Sequence, residues 1–142
     1  NVISEITAAM AYLNLARVSP EPLLSGLCRR IAADEARHSA SFFRYARRRL
    51  ESSADVERER LDAVKVLHFW LNESNSVTHP VNQTMDRLRA MPGVDPEHIP
   101  DFSVVRERAC QAVGLLTGLP IHGPADAEPI LTGLVARAHA SG

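Results

Sequence analysis

Few cysteines, few aromatics, no charge bias and no long apolar run mark this sequence, and each absence removes a class of protein. The two cysteines, Cys28 and Cys110, stand outside any Cys-x-x-Cys pair, which argues against a disulfide scaffold or a thiolate zinc site. With no signal peptide visible, a reducing cytoplasm is the expected compartment. The formal net charge is −1, so no global field draws nucleic acid or an anionic membrane. No apolar run approaches the roughly 18–20 residues that span a bilayer. Gly-rich phosphate loops, Ser/His/Asp arrangements and period-two alternation are all missing. What remains is helical, and 142 residues suit one domain with one core.

Breakers divide the chain. Val2 to about Arg17 reads as a first helix, with Val2, Glu5, Ala9, Leu13 and Ala16 on one face. Ser19-Pro20-Glu21-Pro22 ends it and opens a second helix to about Leu50, proline being tolerated in a first turn. A third helix runs from about Asp55 to Leu71, and Asn72–His79 reads as a turn before a short helix opened by Pro80. After a loop over Met91–Pro96, Ser103 is placed to cap a helix with the face Val105, Ala109, Val113 and Leu116. Gly118–Pro124 breaks the chain again before a last helix from about Asp126. The fold class is all-α.

The second helix carries the chemistry. Leu24, Cys28, Ile31, Glu35, His38, Phe42 and Tyr45 recur at steps of three and four, one face of an α-helix. A carboxylate and an imidazole thus stand in the middle of an apolar stripe, and a buried carboxylate demands a cation, a proton or a donor network. Glu-x-x-His projecting into a helical bundle is part of the ligand set of a dinuclear carboxylate centre, which takes two Glu and two such pairs. Glu5 on the facing first helix adds one carboxylate. Glu5, Glu35 and His38 are therefore half a set, and no other Glu in the chain is followed three residues later by His. The other half is expected upstream in a longer parent, since the chain begins at Asn1 already inside a helix, or on a second copy.

Glu5 with Ala16-Arg17, then Leu27-Cys28-Arg29-Arg30-Ile31-Ala32-Ala33-Asp34-Glu35-Ala36-Arg37-His38, resembles the second half of the soluble acyl-acyl-carrier-protein desaturases of the ferritin-like superfamily. That family's second metal motif reads Ile-Ala-x-Asp-Glu-x-x-His, and Val77-Thr78-His79-Pro80 also resembles a later family segment. The likeness covers Val2 to about Met91 and is specific at residues 31–38. It implies a ferritin-like bundle, here its second half plus C-terminal helices, and a di-iron centre, with manganese as the alternative metal. Glu5 would chelate one iron, Glu35 bridge both and His38 bind one terminally, with Asp34 supporting a histidine of the other half. It further implies O2-dependent desaturation of an acyl chain on acyl carrier protein, a ferredoxin-type electron donor and a homodimer. Two other classes stay open. One is a half-ferritin that completes an iron-oxidising site by dimerisation; the other is a metal-free structural relative.

Other features read plainly. Cys28 and Trp70 are core residues, and His68, His79, His98, His122 and His139 show no ligand spacing. The cluster Arg44, Arg47, Arg48 and Arg49 offers charge to an acidic partner such as acyl carrier protein. The plainer reading is a solvated helix end paired with Glu51, Glu57 and Glu59.

Overall fold

The computed structural model describes residues 2–74, 80–95, 97, 99 and 102–140. Among the described residues six helices follow one another, α1 (Val2–Val18), α2 (Pro22–Glu51), α3 (Val56–Glu73), α4 (Pro80–Arg89), α5 (Ser103–Thr117) and α6 (Pro124–Ala140). No strand occurs among the described residues, so the chain is all-α. The turn expected over Asn72–His79 is helix or turn as far as Ser74, and the rest of it lies outside the described residues.

Local chemistry sets the helix ends. The Glu21 carboxylate caps α2 by accepting from the backbone N–H of Leu23 and Leu24, and Pro22 follows at the first helical position. Asp55 caps α3 through the N–H of Arg58. Asp126 reaches back from the first turn of α6 to the N–H groups of His122 and Gly123, at 2.8 and 2.9 Å. Those bonds hold its carboxyl below the ordinary range. Ser103 does not hold the cap position expected of it: Phe102 stands there, without a side-chain cap hydrogen bond, and Ser103 is the first residue of α5. At the other end Gly118 adopts φ 69°, the left-handed turn that closes a helix, and donates its N–H to the Gly114 carbonyl.

α1 and α2 form an antiparallel pair. Ser25 near the start of α2 bonds the Ala16 carbonyl near the end of α1, while Glu5 near the start of α1 meets His38 far along α2. The main core lies beside this pair, where Leu61, Val64, Leu67 and Leu71 of α3 meet Ala109, Cys110 and Val113 of α5 and Leu134 of α6. Leu67 and Val64 are fully buried, each contributing about 1.5–3 kcal/mol. Trp70 is half-buried against this core, its ring 6.0 Å from that of Phe102. Gly114 allows the chain after α5 to fold tightly back, because a Cβ there would stand 2.5 Å from the Ile121 carbonyl oxygen. A smaller cluster of Met85, Leu88 and Ile99 closes on Leu15 and Val18 at the far end of α1.

α1 differs from the other helices. Its apolar residues run all the way round, a pattern suited to a helix covered on every side, yet only Ile3, Ala9, Asn14 and Ala16 are buried. The α1–α2 pair is packed on one flank and open on the other.

Candidate metal centre

Glu5 comes from the first turn of α1; Glu35 and His38 come from consecutive turns in the middle of α2. Antiparallel packing sets them side by side, with ligand atoms of all three within 4.8 Å of one another. His38 Nδ1 lies 3.2 Å from Glu35 Oε2 and 3.7 Å from Glu5 Oε2. Ligands held at roughly 2.0–2.2 Å from one cation stand about 3 Å apart when adjacent. Two carboxylates and an imidazole at these separations could hold a divalent metal ion. They fit it as part of a coordination sphere, open on one side.

The electrostatics point the same way. Glu5 and Glu35 share a hydrogen bond, and its two ends respond oppositely. The bond to Glu35, with desolvation and the charge of Glu35, raises the Glu5 carboxyl above 4.5. Hydrogen bonds from Glu5 and His38 lower that of Glu35. Of the two, Glu5 is the carboxyl that takes up a proton more readily. Two carboxylates this close need a proton or a cation between them.

Burial departs from expectation. The stripe from Leu24 to Tyr45 reads as inward-facing, but only Cys28 on it is buried, and Ile31 and Glu35 are half-buried. The side chains of Glu5 and Glu35 are 19% and 22% exposed, and that of His38 is 62% exposed. α1 covers a neighbouring strip of α2 (Cys28 and Ala32 at its buried centre), so the polar pair lies at the margin of the packed zone.

Asp34 does not touch the cluster; it pairs with Arg37 on the outer face of α2. Thr7, two residues after Glu5, turns its hydroxyl back to the Ile3 carbonyl, 2.8 Å away. Sequence reading overlooked an open cleft of about 450 Å³ bounded by Val2, Ile6, Ala36, Ala40, Phe43 and Leu115 together with the polar Ser39 and Arg44; none of the three ligating side chains lines it. Its lining comes from α1, α2 and α5, and only the last turn of α5 could have hinted at it, through an unpaired Leu115.

Elsewhere the histidines stay plain. His68 meets Asn72 one turn on, and His122 and His139 are exposed; His79 and His98 lie outside the described residues. Arg47 pairs with Glu51 and Arg49 with Glu59, as a solvated helix end does. Among the described residues Glu5, Glu35 and His38 are the one group of three or more ligating side chains drawn together. No helix among the described residues is long and apolar enough to cross a membrane. Comparison with protein-family models, with curated proteins and with solved structures finds no match for this chain.

Proposed function

We propose that this chain supplies half the ligands of a carboxylate-bridged dinuclear iron or manganese centre, in a protein that oxidises an acyl chain with O2. The observation that carries the reading is the convergence of Glu5, Glu35 and His38 from two helices onto one point. The spacing of Glu35 and His38 alone is commonplace; the third ligating side chain that another helix brings to the same point is what adds to it. Bound there, the metal pair supplies the electron transfer to O2 that no side chain of this protein performs.

The chain's own residues have definite parts. Glu5 and Glu35 would give up any shared proton when a cation binds, and Glu35, which neighbours both Glu5 and His38, would be the carboxylate shared between metal ions. His38 presents Nδ1 to the same point. A mostly apolar open cleft lined by Ile6, Ala40, Phe43 and Leu115, with Ser39 and Arg44 also on its wall, offers contact to a hydrocarbon. Acyl carrier protein as the carrier and a ferredoxin-type donor follow from the desaturase resemblance alone.

Substrate-dependent O2 consumption by the protein, with an acyl-carrier-protein thioester, tests the reading. Activity is expected to vanish in Glu35→Ala. Full activity in that variant removes Glu35 from the site and overturns the reading.

A further inference from the structure

The stripe left open on α2 has a symmetry of its own. At about 100° per residue, Leu24, Leu27, Ile31, Glu35, His38, Phe42 and Tyr45 fall within an arc of about 80°. Leu24 is 41% exposed, Leu27 53%, Phe42 41% and Tyr45 68%. Large apolar side chains in a row on one helix face mark a contact surface.

The row is balanced about one point, the peptide bond joining Asp34 to Glu35. Leu27 and Phe42 lie about 11 Å to either side of it along the helix, and Leu24 and Tyr45 about 16 Å, at 1.5 Å per residue. A two-fold axis through that midpoint, perpendicular to α2, lays the helix antiparallel on its own copy. Leu27 then meets Phe42, and Leu24 meets Tyr45, twice each. A shift of register by a residue or two destroys the match.

We infer that a second copy of this chain covers the open face of α2 in this register. A two-fold pair presents one patch twice, which requires a self-complementary row such as this one. The ligands sit at the centre of the row, so the same axis brings two copies of Glu5, Glu35 and His38 together. That makes two Glu and two Glu-x-x-His pairs, the full set of a dinuclear centre. This last step rests on the proposed metal reading; the apolar register does not. The four carboxylates of the two clusters would crowd the axis, beside two copies of Asp34 that are already paired with Arg37, and two divalent cations balance the charge of the four. Pairing is therefore tighter with a divalent cation present.

Cross-linking with a short bis-maleimide tests the register. Chains bearing Leu27→Cys and chains bearing Phe42→Cys are mixed in equal amounts, with and without Mn(II), and sedimentation is followed in parallel. Both positions are exposed, so the fold is undisturbed, and the native Cys28 and Cys110 are buried. The expected product is the mixed 27–42 dimer in large excess over either like-with-like dimer, because equivalent positions lie about 22 Å apart along the paired helices. Leu27→Asp is expected to abolish the dimer. Dominant mixed cross-linking without any response to Mn(II) supports the pairing while counting against the metal reading. A chain that stays monomeric at high concentration with Mn(II) overturns the pairing, even if each monomer binds the ion. Statistical cross-linking among all three products also overturns it.

Discussion

Glu5 on α1 and Glu35 on α2 hydrogen-bond across the helix pair, and that one bond pushes the first carboxyl up and the second down. A divalent cation competes for the place of the proton between them. Metal uptake near the raised value of Glu5 must therefore release a proton, and affinity must fall as pH drops through that value. Titrating Mn(II) in two buffers of different ionisation enthalpy measures the release. Identical heats in both buffers would show that no proton is displaced.

The same bond gives stability a definite pH course. Glu5 is raised above 4.5, so its contribution is complete below that value and is lost as pH rises through its folded-state value. Glu35 is lowered, so its contribution is present above 4.5 and lost as pH falls through its own lowered value. Glutamine at position 5 keeps a donor toward Glu35 at every pH. Glu5→Gln is thus expected to match or exceed the parent in thermal stability at pH 7 without metal, while metal affinity drops at least about tenfold, since even loss of an outer supporting group costs 10–100-fold. Thermal melts with and without Mn(II) check both halves.

Glu57 is a control for the cluster. It is exposed on α3 and pairs with Arg60 at 2.6 Å one turn on, an arrangement worth about 0–1 kcal/mol. Glu57→Ala should leave O2 consumption at the parental rate where Glu35→Ala removes it. An equal loss in both would point to damage unrelated to metal.

Two glycines predict opposite signs. Gly114→Ala forces a Cβ to within 2.5 Å of the Ile121 carbonyl oxygen, which is rigid backbone, and should cost about 1–3 kcal/mol. Gly26, inside α2 with nothing within 4 Å of an added Cβ, should gain about 0.4–1 kcal/mol as alanine. Denaturant unfolding of the two variants checks the pair.

Much of this arrangement is legible from residues alone, for identifiable reasons. Pro22, Pro80 and Gly118 punctuate the chain because ring closure and the left-handed turn act locally, so the helices start and stop close to where those residues place them. Glu5, Glu35 and His38 converge because two antiparallel helices with a short link have little choice of partner face. Burial was not legible in the same way. Periodicity identifies an apolar arc on α2 but not how neighbours divide it, and α1 takes the strip through Cys28 and Ala32 while Phe42 and Tyr45 stay open. The cap of α5 was misread because Ser103 lies inside the first turn rather than before it. The tight return at Ile121 depends on Gly114, which in sequence is only a helix-weakening residue.

The central claim is that Glu5, Glu35 and His38 bind a metal ion as one unit. Anaerobic titration of the purified chain with Fe(II), compared with Glu35→Gln and His38→Ala, tests it most directly, with bound iron counted after desalting and the association state recorded alongside. The account predicts weak retention by monomer, up to two irons per dimer, and loss of retention in both variants. Iron retained equally by the parent chain and by both variants would contradict it.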